Sequence, residues 1–213
     1  MEEGLRGMQA PEFQVPDGMR AASKTDWRKL GDIIGEAFAE DPVNLWIFGE
    51  QAAMKPVFST LARAIYLPRG YCQISGDEGA TMWTHSSASL DLPLLPTLEL
   101  VWVLSRKGAK GAVKRALGAG AAMQREHPGE PHVYLFAIGT RKAARGKGLG
   151  KALIAPGLAA ADRAGLPCYL ENSNPANTGF YRHHGFERMK LFEPGPGGPP
   201  LEAMWREPRS ALA

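Results

Sequence analysis

Residues 145–150 read Arg145-Gly146-Lys147-Gly148-Leu149-Gly150, and Lys151 follows them. The run stands just after the apolar stretch Val133-Tyr134-Leu135-Phe136-Ala137-Ile138 and just before an Ala-rich segment that reaches Ala164. Strand, glycine turn and helix in that order expose backbone N–H groups at the positive end of a helix dipole, an arrangement that binds phosphate. Glycines let the backbone approach the anion closely, and Arg145, Lys147 and Lys151 add charge. Two better-known phosphate loops fail on spacing. A Walker A loop needs a glycine five residues before Gly150 and a hydroxyl after Lys151, where Arg145 and Ala152 stand. A G-x-G-x-x-G dinucleotide turn fails because its sixth place is Lys151 counted from Gly146, and Leu153 counted from Gly148.

The elements that must hold this turn follow from periodicity and breakers. Thr25-Asp26 precedes Trp27, Leu30, Ile33, Ile34, Ala37 and Phe38, a three-and-four spacing that predicts a capped helix with one apolar face. Asp41-Pro42 ends it, and a second helix is expected over about 51–66. Runs at 71–75 and 80–84 flank Gly76-Asp77-Glu78-Gly79 and predict a hairpin. The stretch 92–104 is ambiguous, and 107–126 reads as an Ala-rich helix weakened by Gly111, Gly118 and Gly120. The nearly continuous apolar run 133–138 has the pattern of a central strand buried on both faces. Residues 193–200, rich in Gly and Pro, read as a loop between the final strands.

Composition narrows the function classes. A chain of 213 residues can bury a full core without disulfides or metal. We expect a flexible tail over 1–16, which has two prolines and no periodicity, and a single domain over 17–213. A formal net charge of +3 is too mild for nucleic acid to be the main ligand. Two cysteines, Cys72 and Cys168, cannot build a dense disulfide framework or a four-thiolate zinc site, and they suit a reducing cytosol. The acidic N-terminus lacks the apolar run of a secretory signal. The greasiest stretch, 92–104, is interrupted by Pro93, Pro96 and Glu99 and falls short of the roughly 20 apolar residues of a membrane span. A cytoplasmic protein with no membrane partner is therefore expected.

The glycine turn resembles that of the Gcn5-related N-acetyltransferase (GNAT) superfamily, whose R/Q-x-x-G-x-G/A loop holds the pyrophosphate of acetyl-CoA; Arg145, Gly148 and Gly150 fall on its fixed positions. Asn174-x-x-Asn177-x-x-x-Tyr181-x-x-x-Gly185-Phe186 is similar to the superfamily's final helix and the strand start after it. Further shared runs at Pro156-Gly157, Arg163-Ala164-Gly165 and Leu170-Glu171 are most similar to members that acetylate an aminonucleoside. The resemblance implies an α/β fold of the three-layer α+β kind, a mixed, mostly antiparallel sheet flanked by helices. It implies acetyl-CoA as cosubstrate and no metal. It also implies that Phe136, Ala137 and Ile138 give backbone N–H groups to the pantetheine arm and the oxyanion, that Gly146, Lys147, Leu149 and Lys151 share the pyrophosphate loop, and that the Tyr181 hydroxyl stands by the thioester sulfur as general acid.

Acetyl transfer to an amine needs a neutral amine, a place for the developing oxyanion and a proton for the leaving thiolate. Glu171 follows Leu170 in a short strand from Cys168, so it shares a face with Tyr169; if that face lines the cleft, Glu171 can take the amine's proton directly or through water. Asn174 and Asn177 either bind pantetheine or cap the helix. His183 and His184 read as solvent-facing, and Cys168 as a small buried hydrophobe. Phe38, Asp41, Trp46, Phe48 and Trp83 form the aromatic and acidic set expected to bind a cationic, partly flat acceptor. The expected function is acetyl-CoA-dependent N-acetylation of a small molecule's primary amine by direct attack in a ternary complex, carried out by a monomer or homodimer. The alternatives are a protein or peptide N-acetyltransferase and a catalytically silent CoA-binding regulator.

Overall fold

In a computed structural model that describes residues 12–209, the first apolar spacing becomes helix α1 (Trp27–Ala37), with Leu30, Ile33 and Ile34 fully buried. Of the expected tail, residues 1–11 lie outside the described residues, while Phe13 stacks on Tyr71 with ring centroids 4.0 Å apart. A short strand β1 (Arg20–Ala21) precedes α1. After it come α2 (Pro42–Phe48) and α3 (Met54–Leu61), then a π-helical turn (Ala62–Tyr66) and α4 (Leu67–Arg69). The second expected helix is thus a composite that runs a turn further than its spacing suggested.

Strands β2 (Tyr71–Ser75) and β3 (Gly79–His85) form the expected hairpin. The ambiguous stretch is helix α5 (Leu94–Lys107); Pro96 lies in its first turn, where no backbone donor is required. The next helix, α6 (Ala112–Glu126), starts later than expected because Gly108 ends α5 and Gly111, at φ +83°, takes a left-handed conformation that no helix continues through. Then follow β4 (Val133–Thr140), α7 (Leu149–Ala164), β5 (Cys168–Asn172), α8 (Thr178–His183), β6 (Glu187–Phe192) and β7 (Leu201–Arg206).

The seven strands lie in the order β1-β2-β3-β4-β5-β7-β6, antiparallel throughout except for the parallel pair β4 and β5. This is the expected α/β arrangement, a mixed, mostly antiparallel sheet flanked by helices. Alternation along β3 divides the core: Met82 packs with α1 and α3 on one face, and Trp83 packs against α7 on the other. Glycines set both helix distances. A Cβ at Gly31 would lie 2.6 Å from the backbone N of Ser59, so α1 and α3 touch backbone to backbone. A Cβ at Gly157 would lie 2.3 Å from Cζ2 of Trp83, so α7 rests directly on that indole.

Candidate active site

The parallel pairing of β4 with β5 lasts for two residues, Val133 with Cys168 and Tyr134 with Tyr169. Beyond that the strands part. On its far side β5 stays paired with β7 as far as Asn172, whereas the edge of β4 from Leu135 onward is left without a β5 partner. A bulge falls at the same place: Trp83 pairs with Leu135 and Met82 with Ala137, so Phe136 is the extra residue. It turns Phe136 and Ala137 toward the same face, the one covered by α1 and α3. The bulge is invisible in a run of six apolar residues.

The glycine turn lies between β4 and α7. Gly146 and Gly148 adopt φ +78° and +80°, and open space lies where their Cβ atoms would be. Gly148 is the N-cap of α7, whose first-turn amides at Leu149, Gly150 and Lys151 have no partner within the helix. Gly150 faces the Phe180 ring, which a Cβ would meet at 3.5 Å. Arg145 donates from Nη2 to the Ala37 carbonyl at 3.1 Å, tying the loop to the end of α1, so part of its fork is already engaged. Lys147 and Lys151 are exposed and pair with no carboxylate among the described residues.

Tyr181 comes from α8. Its side chain is buried beside the fork, and burial, helped by the negative charge of Asp41, pushes the phenol above its ordinary value. Asn174 is a cap, its Oδ1 accepting from the Ala176 amide at 3.0 Å, whereas Asn177 borders the cavity. His183 is exposed as expected, but His184 is half-buried and its Nδ1 donates to the Phe180 carbonyl at 2.8 Å. Cys168 is fully buried and its thiol is pushed up to about 12 by burial, which suits packing and not nucleophilic chemistry.

Glu171 shares its face with Tyr169, and its side chain is only 2% exposed. Its Oε2 accepts from the Tyr134 hydroxyl at 2.6 Å, and its Oε1 is buried with no hydrogen-bond partner. His127 Nδ1 stands 3.8 Å from Oε1. His127 Nε2 in turn lies 3.1 Å from Nε2 of the fully buried His132. Burial together with the Glu171 charge holds Tyr134 and Tyr66 well above the ordinary phenol value, so both stay protonated. Sequence reasoning missed these partners. The available signals were His127-Pro128 at a helix end, where the residue before proline is forced into extended backbone, and His132 at the entrance of the central strand.

A cavity of about 780 Å³ reaches from the fork to the layer of α5 and α6, and Glu171, His127, Tyr181, Phe136 and Phe38 all border it. Most of its remaining wall is apolar or aromatic: Phe58, Leu61, Leu100 and Met123 are examples, and Tyr66 stacks on Phe136 at 4.3 Å.

Three of the five residues expected to bind the acceptor lie elsewhere. Trp83 is fully buried under α7, because its strand position points away from the cavity face. Trp46 packs under the 193–200 loop, where a Cβ at Gly195 would lie 3.0 Å from its ring, and Arg115 sits 6.0 Å over the indole. Asp41 is the N-cap of α2: its Oδ1 accepts from the Asn44 amide at 2.9 Å, and its Oδ2 accepts from the Ser173 hydroxyl at 2.6 Å. Phe38 and Phe48 do border the cavity. Trp83→Ala is accordingly expected to cost about 3–5 kcal/mol in denaturant unfolding, while Trp83→Phe leaves the KM for an amine unchanged.

Among the described residues no His, Cys, Asp and Glu cluster is arranged to hold a metal ion, and no helix is long and apolar enough to cross a membrane. The acetyltransferase (GNAT) family model matches residues 82–186, from β3 through the fork, the glycine turn and α8. A solved structure from Corynebacterium glutamicum, described as histone acetyltransferase HPA2 and related acetyltransferase, is 24% identical, with a TM-score of 0.67 over 92% of this chain and 98% of that one. The C-terminal condensation domain of Ebony, solved with beta-alanyl-dopamine, is 11% identical with a TM-score of 0.59 over 92% of this chain and 100% of that one. Arylalkylamine N-acetyltransferase 2 from Aedes aegypti is 16% identical with a TM-score of 0.55 over 90% and 98%. With its parted β4 and β5, its glycine turn capping α7 and the family match across both, the segment 82–186 is an acetyltransferase domain of the GNAT family.

Proposed function

We propose that the protein transfers the acetyl group of acetyl-CoA to the primary amine of a small, largely apolar molecule by direct attack in a ternary complex. One observation carries the reading: a cavity of about 780 Å³ with apolar walls has a buried carboxylate, Glu171, in its lining beside the β4–β5 fork. The open space over Gly146 and Gly148 and the first-turn amides of α7 fit a pyrophosphate, with Lys147 and Lys151 as its counter-charges. When bound, acetyl-CoA supplies an activated thioester. The unpaired edge of β4 would hold the pantetheine arm, and the amides around the Phe136 bulge would hydrogen-bond the acetyl oxygen. Glu171 would take the amine's proton, and Tyr181, kept protonated by burial, would present its O–H to the departing sulfur. Apolar walls around a carboxylate suit an amine with an aromatic or aliphatic body better than a polar peptide chain.

The test is thiol release from acetyl-CoA with phenethylamine, puromycin, polyamines, amino acids and peptides, read by product mass. Phenethylamine represents the substrate named for the Aedes aegypti enzyme, and puromycin follows from the likeness of Gly146–Gly150 and Leu170-Glu171 to puromycin N-acetyltransferase. Acetylation of apolar amines is expected. Acetylated peptides alone would overturn the small-molecule reading, and acetyl-CoA binding without thiol release would favour a silent regulator. Tyr181→Phe is expected to lower kcat by about 100-fold while the acetyl-CoA Kd, from calorimetry, stays the same.

A further inference from the structure

We propose that His127 is the second half of the base: the proton that Glu171 takes from the acceptor amine passes to Nδ1 of His127, and His132 is the positioning residue that keeps that nitrogen bare. The proposal rests on the acetyl-transfer reading above.

The hydrogen bonds leave one assignment of protons. His132 Nδ1 lies 2.7 Å from the Glu130 carbonyl oxygen. A carbonyl only accepts, so Nδ1 of His132 carries a proton and donates it. Burial lowers the His132 pKa to about 4, which leaves the ring neutral and its Nε2 bare at ordinary pH. His127 Nε2, 3.1 Å away, must then be the donor to that nitrogen. In a neutral His127 the remaining nitrogen, Nδ1, is bare, and it faces Glu171 Oε1 at 3.8 Å. Two acceptors thus oppose each other, and Oε1 has no other partner. The contact between them is short of one proton, which an acceptor arriving as an ammonium ion brings.

Protonation at Nδ1 completes the chain, because His127 then donates both to Glu171 and to His132. His127 follows directly on the last residue of the fifteen-residue helix α6, where the helix carbonyls point. With 20% of its side chain exposed, the ring can also pass the proton to water. Of the other ionisable groups here, Tyr134 donates to Oε2 of Glu171, Tyr66 and Tyr169 are held protonated by burial and the nearby carboxylate, the Tyr169 hydroxyl being buried without a hydrogen-bond partner, and Glu126 pairs with Lys190 at 2.6 Å and with Arg125 at 2.8 Å. In each turnover the ammonium loses two protons, its nitrogen bonds to the acetyl carbon and the C–S bond breaks. One proton ends on sulfur and the other leaves through His127.

Two measurements test this. Long-range proton–nitrogen NMR of the free protein needs no substrate and should show neutral His127 with its proton on Nε2 and His132 with its proton on Nδ1; in His132→Phe the Nε2–H preference of His127 should be lost. The second is the pH profile of kcat/KM with the best amine of the panel, for wild type, His127→Ala and His127→Gln. Both variants should lose on the order of tenfold in kcat, less than the 10²- to 10⁴-fold of a general base, because Glu171 itself still takes the proton. Their acidic limb should also differ from that of wild type, because the group that relays the proton is gone. Their acetyl-CoA Kd should not change. A neutral His127 with its proton on Nδ1, or two His127 variants with wild-type kcat and limb, overturns the proposal alone. No thiol release by wild type with any amine overturns the acetyl-transfer reading, and this proposal with it.

Discussion

Gly148→Asp is expected to raise the Kd for acetyl-CoA by at least about 100-fold, roughly 2.7 kcal/mol at 25 °C, with the fold intact. Gly148 caps α7 at φ +80°, and open space surrounds its Cβ position, so an added Cβ meets no protein atom. Aspartate is among the residues that tolerate this left-handed conformation best, which keeps the folding cost to about 1–2 kcal/mol. Its charge, however, sits where the helix dipole and bare amides would receive a pyrophosphate, so repulsion replaces attraction. Gly148→Ala carries the same backbone strain without the charge, and the difference between the two variants in calorimetry isolates the electrostatic part. Equal affinity for acetyl-CoA in wild type and Gly148→Asp would remove this turn from the cosubstrate site.

The second large effect is at Glu171. Glu171→Gln should lower kcat by about 10²- to 10⁴-fold, the range of a general base, and should raise stability. The two changes have one cause. Glu171 is buried with one oxygen satisfied by Tyr134 and the other unpartnered, an arrangement that costs about 1–3 kcal/mol in the folded state. Glutamine keeps the shape and the acceptor for Tyr134 but removes the buried charge and the proton-accepting group. A variant more resistant to urea yet nearly inactive is the signature of a group retained for chemistry. Wild-type kcat in a folded Glu171→Gln protein would mean that the base is some other group.

Much of the site's local chemistry was legible in the chain. The glycine turn was, because left-handed glycines, a preceding apolar strand and a following helix are all local, and the structure places Gly146 and Gly148 at positive φ. The face of Glu171 was too, since alternation along β5 decides it. The same rule misled at Trp83, because knowing that neighbours along a strand point oppositely does not say which side holds the cavity. Asp41 misled for another reason: a carboxylate before proline at a helix start is a cap as readily as a ligand, and its partner Ser173 is 132 residues away.

By itself, then, the sequence determined the turn, the strand and helix on either side of it, and that Glu171 shares a face with Tyr169, since each of these depends on neighbours a few residues apart. Only the tertiary structure decided where β4 and β5 part, which side of the sheet is hollow, and that His127 and His132 line up behind Glu171. Those features depend on register between strands some 35 residues apart in the chain, Val133 opposite Cys168, and on a one-residue bulge at Phe136. Neither leaves a mark in composition or periodicity, because both are settled by how α7 and α1 press on opposite faces of the same strands.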